Sequence, residues 1–299
     1  MRHLALVLLV ACNGDPKPTL VLDEAVVADV LTTVTTVVPN CDVGATEAAR
    51  TPPTGPTYAG TGSTGACGGS LDVTFNHESG VTDYDVTLAD LCLTGPQGDM
   101  TWSGQIAGTE IGTPSDNGPV IKAFELSTVG DLTILTGGET VTASITDARA
   151  DYGDPQPWYP GLATEAKPNV VEVDTIAVDL GGDAYTLTGL RYEAVGEFMS
   201  TSIAVTGGLL EGPGGTVTVR TNDGAPLAIM VAGGAVTAGG LVLGGADDTE
   251  VVLTPVDGSI GVFDITVNGA AYPDRLDCVD AIGPTGALTF ALMSALPIY

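Results

Sequence analysis

Apolar and polar residues alternate along most of this 299-residue chain, in short runs separated by turn signals. Val141, Ala143 and Ile145 alternate with Thr140, Thr142, Ser144 and Thr146, the period of two that a half-buried strand requires. The pattern recurs at Val171-Val173, Ile176-Val178-Leu180, Tyr185-Leu187, Ile203-Val205, Val217-Val219, Leu227-Ile229-Val231, Leu241-Leu243, Val251-Leu253 and Ile265-Val267. Turn residues fall between the runs at Gly181-Gly182-Asp183, Asn222-Asp223-Gly224 and Asp257-Gly258. A parallel neighbour needs a crossover of about a dozen residues or more, and the runs follow one another too closely for that. The expected fold is therefore mainly β: a long antiparallel meander forming a curved open barrel or a sandwich.

Two hairpins can be registered. Pairing outward from Ser79-Gly80 sets Leu71 against Leu88, Val73 against Val86 and Phe75 against Tyr84, all apolar or aromatic and on one face. The same register brings Cys67 opposite Cys92. Around Asn222-Asp223-Gly224, Val219 is expected to face Leu227, and Val217 to face Ile229.

Residues 22–38 break the period of two. Leu22, Val26, Val30, Val34 and Val38 recur every four residues, with Val27 and Leu31 beside them, which makes one face of a helix. Asp23 is placed to cap it. Valine and threonine lower helix propensity, so a strand is the alternative. A helix here needs an apolar sheet surface to lie on. Residues 50–66 read as loop from their Pro, Gly and Thr content, and Gly207-Gly208, Gly239-Gly240 and Gly244-Gly245 read as turns.

Charge excludes one class of partner. The chain has 37 acidic and 9 basic residues, a net charge of -28, and its lysines are Lys17, Lys122 and Lys167. Such a surface repels phosphate backbones, so no nucleic-acid partner is expected. With 44% hydrophobic residues in ordered alternation, the acidity signals solubility rather than disorder.

The N-terminus carries an address. Arg2 and His3 are a short polar start, Leu4 to Val10 an apolar run, and Leu9-Val10-Ala11-Cys12 small residues ending on a cysteine. This resembles the lipobox of bacterial lipoproteins. The resemblance implies that the signal is removed before Cys12, whose thiol carries a diacylglyceryl group and whose amino group is acylated as well. Asn13, where an Asp would retain such a protein in the inner membrane, implies the outer membrane. The expected organisation is a signal peptide over 1–11, a lipid-anchored tether over 12–21 and a single β-rich domain over 22–299. A division within residues 151–167 is the alternative.

With Cys12 acylated, four cysteines remain, an even number for an oxidising envelope. The hairpin register favours Cys67–Cys92, leaving Cys41–Cys278 to tie the two ends of the domain. Free thiols or a metal site are the alternatives, although no paired C-x-x-C spacing is present. The body is similar to a group of proteobacterial β-rich lipoproteins, through Val73-Thr74-Phe75-Asn76-His77, Cys92, Trp102-Ser103-Gly104, Leu253-Thr254-Pro255-Val256-Asp257-Gly258 and Val267-Asn268-Gly269. Where that group ends the hairpin in Asn-Cys, this chain has Asp90-Leu91-Cys92. The resemblance implies an exported β-rich fold and transfers no catalytic residue.

Catalytic signatures are missing. Past Cys12 the one histidine is His77, expected at the surface near a turn, with no nucleophile motif beside it. There is no G-x-S-x-G elbow, H-E-x-x-H motif or phosphate-binding Gly-Lys-Ser/Thr loop. Asp147, Asp151 and Asp154 read as one acidic loop running into Trp158-Tyr159, a candidate calcium or ligand site. Asp247-Asp248-Thr249-Glu250 reads as an ordinary acidic turn, and Leu288-Phe290-Leu292 as a last strand. No cofactor or resident metal is expected. The expected function is a non-enzymatic envelope lipoprotein, structural or partner-binding, attached to the membrane through its lipid. A carrier of lipid or another apolar ligand in a curved-sheet cavity is the alternative, and a carboxylate-based envelope hydrolase the third.

Overall fold

Period-two alternation becomes strand throughout the described chain. The computed structural model describes residues 17–37, 58–60, 67–95, 98–113, 120–151, 169–197, 200–222, 225–230, 236–257, 259 and 262–277. Its elements are helix α1 (Val27–Val37) and strands β1 (Tyr58–Gly60), β2 (Gly68–Glu78), β3 (Val81–Gly95), β4 (Gly98–Thr113), β5 (Val120–Thr128), β6 (Leu132–Thr136), β7 (Glu139–Asp151), β8 (Asn169–Leu180) and β9 (Asp183–Glu197). The sheet continues through β10 (Ser200–Gly212), β11 (Gly215–Thr221), β12 (Leu227–Met230), β13 (Val236–Ala238), β14 (Leu241–Gly244), β15 (Glu250–Pro255), β16 (Val262–Val267) and β17 (Ala270–Asp277).

The strands make one antiparallel sheet, mostly a meander, that does not close into a barrel. It is 14 strands wide because three pairs of short strands each share one place in the order. β5 and β6 lie along the same edge of β4, on either side of a kink at Val129-Gly130. β11 and β12 share an edge of β10 in the same way, and β14 and β13 continue alongside them. Tight turns join neighbours at Ser79-Gly80, Gly137-Gly138, Gly181-Gly182 and Asn268-Gly269. Both residues of each turn have positive φ, as in the two-residue turns whose twist matches that of the strands they join.

The first hairpin has the expected register, with Leu71 against Leu88, Val73 against Val86 and Phe75 against Tyr84. Its far end slips by one residue at a bulge, so that Gly68 rather than Cys67 stands opposite Cys92. The second hairpin does not form. Val219 pairs with Leu243 and Ile229 with Thr201, because the turn at Asn222–Ala225 kinks one strand along β10 instead of folding it back. Two loop assignments also change. Tyr58–Gly60 adds an edge strand to β2, and Gly207-Gly208 lie inside β10, where its register to β9 shifts.

Four neighbouring strands exchange the parity of their buried residues partway along. In β7, Val141, Ala143 and Ile145 are buried, and beyond Asp147 it is Ala148 that packs on the core. In β8 the buried pair Val171 and Val173 gives way to Ile176 and Val178 across Asp174. In β9, Tyr185 and Leu187 give way to Leu190 and Tyr192 across Gly189, and in β10 Val205 gives way to Leu210 across Gly207-Gly208. Asp147 and Gly189 have positive φ of 45° and 64°. An irregularity of this kind bends a strand and increases its twist. Both halves of each strand therefore turn their apolar side to one continuous core.

Helix α1 covers that core over β8, β9 and β10. Val27, Val30 and Val34 of the expected stripe are buried, and Leu22 is buried just before the helix. Val38 lies outside the described residues. The Asp23 carboxylate accepts the Ala25 N–H at 2.9 Å, satisfying a donor at the helix entry. Threonine is tolerated because the hydroxyls of Thr32, Thr33 and Thr36 donate to the carbonyls of Ala28, Asp29 and Thr32 at 2.9, 2.9 and 2.7 Å. No helix among the described residues is long and apolar enough to cross a membrane.

A strap precedes the helix. The Thr19 N–H donates to the Thr216 carbonyl at 3.0 Å, the Ala246 N–H to the Leu20 carbonyl at 2.7 Å, and the Leu22 N–H to Thr249 Oγ1 at 2.9 Å. Asn268 Nδ2 donates to the Leu22 carbonyl at 2.9 Å. Residues 19–22 thus join three turns at one end of the sheet, those of β10–β11, β14–β15 and β16–β17.

Two measurements test this packing. A Cβ added at Gly212 would stand 2.5 Å from Thr33 Oγ1, so Gly212→Ala must displace the Thr33 side chain or the helix that carries it, and chemical denaturation should show a loss of about 1–3 kcal/mol. The Tyr185 phenol, beneath the helix, has its pKa raised from 10.0 by burial, then by Asp183 and Asp29. The folded protein therefore holds that proton more tightly than the unfolded chain. Stability from this group is full below about pH 10 and is lost as pH rises through the raised value. Tyr185→Phe should flatten the alkaline limb of a stability–pH curve.

Candidate functional site

The face of the sheet turned away from the core carries the polar half of the alternation. Across three of the parity exchanges, those in β7, β8 and β9, it holds an open groove of about 930 Å³. Six strands contribute to its lining, β3 at residues 83–85, β4 at 107–109, β5 at 125–127, β7 at 147–149, β8 at 172–174 and β9 at 189–191. In β7, β8 and β9 the lining falls at the parity exchanges, whereas β3 and β4 keep one parity through it and the exchange in β10 lies outside it.

Its charged side chains are Asp83, Asp85, Glu125, Asp147, Glu172 and Asp174, with Arg149 and Arg191 among them. Neighbours hold most of these in place. Thr109 Oγ1 donates to Asp83 at 2.9 Å. The Asp147 N–H donates to Ser127 Oγ at 2.9 Å, and that hydroxyl donates to the Asp147 carboxylate at 3.4 Å. Arg149 pairs with Asp151 at 2.9 Å and lies 4.0 Å from Glu125. Arg191 bridges Glu172 and Glu193. These pairs are about half exposed, so each adds little to stability, on the order of 0–1 kcal/mol. What they fix is the pattern of charge. Beneath it, the Tyr84 ring packs across the strand on the bare backbone of Gly108.

Two residues of the candidate acidic loop fall in a strand. Asp147 and Asp151 belong to β7, Asp147 at the parity exchange and Asp151 as the last residue of the strand. They are four steps apart along the strand, about 13 Å at the usual rise. They do not converge on one ion, and Asp151 is engaged by Arg149. Asp154, Trp158 and Tyr159 lie outside the described residues, as do Cys12, Cys41, Cys278 and Leu288-Phe290-Leu292. His77 stands in β2, two residues before the Ser79-Gly80 turn. Asp247 and Asp248 form the acidic turn expected of them.

The Cys67–Cys92 disulfide is present, with its Cα atoms 5.1 Å apart. Asp99 comes within 4.8 Å of its sulfurs, a grouping that would resemble a metal site if the thiols were free. Both sulfurs are committed to the bond, so no thiolate is available as a ligand.

Sequence reasoning missed the groove. Its lining residues, among them Asp83, Glu125, Asp174 and Arg191, are scattered along the chain and carry no motif. The outward positions of the alternation were the available signal, and only cross-strand register gathers them. No family model, curated protein or solved structure matches this chain.

The groove floor can be tested. A Cβ at Gly108 would lie 2.5 Å from Tyr84 Cζ, so Gly108→Ala should cost about 1–3 kcal/mol in a denaturation titration. Arg191→Ala, at an exposed pair, should stay within about 1 kcal/mol of the parent.

Proposed function

We propose that this chain is a lipid-anchored protein of the bacterial envelope, without catalytic activity, that binds a partner through the polar face of its sheet. The observation that carries the reading is the open groove, whose carboxylates outnumber its arginines six to two. Its charges are held by ion pairs and by Ser and Thr hydroxyls rather than gathered around a nucleophile. Broad, shallow and charged, it favours the positively charged surface of another protein, because complementary charge steers and selects partners. The Leu9-Val10-Ala11-Cys12 segment supplies the anchor, and residues 12–21 the connection to the body.

A hydrolase finds less support. The separation of about 13 Å between Asp147 and Asp151 exceeds the roughly 5–9.5 Å between paired glycosidase carboxyls. The carrier reading keeps one observation in its favour. Trp102 is fully buried, and its indole N–H has no partner among the described residues. A bound molecule with an acceptor atom would satisfy it. A carrier should retain stoichiometric lipid in an organic extract of protein made without its own acyl chains.

Intact mass tests the anchor. Protein expressed with its signal in a lipoprotein-processing host should begin at Cys12, carry the added acyl mass and gain two hydrogens for each disulfide reduced. Recovery of an unmodified chain still starting at Met1 would overturn the reading.

A further inference from the structure

The strap bears on how the body stands on a membrane, an inference that rests on the anchor reading above. Lys17 is only five residue steps from Cys12, and there the chain is already engaged with the sheet, the Lys17 carbonyl accepting from Thr216 Oγ1 at 3.4 Å. From there, backbone bonds carry it through Thr19, Leu20 and Leu22 to the turns at residues 213–214, 245–249 and 268–269. The path is close-fitting, since a Cβ at Gly245 would stand 2.5 Å from the Leu20 carbonyl oxygen. Five residues of fully extended chain reach about 18 Å at most.

We propose that the turn-bearing end of the sheet at β10–β11, β14–β15 and β16–β17 faces the lipid surface, and that the opposite ends of these strands point away from it. A flexible tether of ordinary length would let the body tumble. Here Lys17, already bonded to the sheet, is within about 18 Å of the acylated residue, so the end holding the strap stays nearest the headgroups. Exposed at this end are Asp247 and Asp248 on the β14–β15 turn and Asp23 and Glu24 between the strap and the helix, with Val21 and Lys17 beside them. The four carboxylates oppose insertion into the hydrocarbon. The partner-binding groove crosses the strands between their two ends, so it would be presented sideways above the membrane rather than against it.

Energy transfer to lipid reads this orientation. Full-length acylated protein is placed in phosphatidylcholine vesicles containing a dilute acceptor-labelled lipid. A donor dye is attached through azidophenylalanine in place of Asp247 in one preparation and of Asp257 in another. These positions flank β15, about 20 Å apart along the strand. Transfer from position 247 should exceed that from position 257. Equal or reversed transfer, on protein whose mass shows the acyl groups, overturns the orientation and leaves the anchor standing. Protein without acyl groups overturns both. A second preparation, with a long Gly-Ser insert between Pro16 and Lys17, keeps every strap bond and should erase the difference. A difference that survives the insert would overturn the short tether as its cause.

Discussion

A strand in a one-layer sheet can bury only alternate residues, and here four neighbouring strands exchange parity partway along so that both halves bury apolar side chains. The exchanges at Asp147, Asp174, Gly189 and Gly207-Gly208 lie side by side from β7 to β10. Without them, half of each strand would present its apolar residues to water. With them, Val141 and Ala148, Val173 and Ile176, and Leu187 and Leu190 join one core. Three of these exchanges, in β7, β8 and β9, also line the outer groove, where core packing and candidate site meet.

An open antiparallel sheet still has an apolar face to cover and strand ends to secure. Helix α1 covers part of that face over β8–β10, and its threonines satisfy their hydroxyls within the helix. The strap secures one end, tying three turns to the segment that precedes the helix. N-terminal residues thus close a fold whose strands come from the rest of the chain, through contacts that span 197 to 246 residues. Such separation makes formation of the strap a late event, because loop closure must be offset before its bonds form. In the proposed reading the same segment also passes the membrane anchor to the body, so a structural closure doubles as an orienting device.

In the proposed reading the groove serves recognition rather than chemistry. Asp83, Asp85, Glu125, Asp147, Glu172 and Asp174 form an acidic array on a broad surface, interrupted by Arg149 and Arg191. Arrays of this kind act through field and pattern, favouring cationic surfaces and repelling phosphate backbones. The overall charge of -28 extends the same bias over the whole molecule.

Sequence by itself determined the local order: strands of period two, the Ser79-Gly80 hairpin with its Cys67–Cys92 bridge, and the helical stripe from Leu22 to Val34. Each depends on residues near one another in the chain, where alternation, turn chemistry and the 3.6-residue repeat are sufficient. The partners of β11 and β12 were decided by tertiary structure. Asn222-Asp223-Gly224 suits a hairpin as well as a kink, and the choice fell to β10, whose free edge accepted both strands in line. The strand assignment of Asp147 and Asp151 was decided in the same way, because β5 and β8 on either side extend the ladder through an acidic stretch that reads locally as loop. The groove had no sequence signature, since its residues are neighbours only across six strands. Periodicity is a property of the chain, whereas register and the bend that makes a surface concave exist only once strands have found their partners.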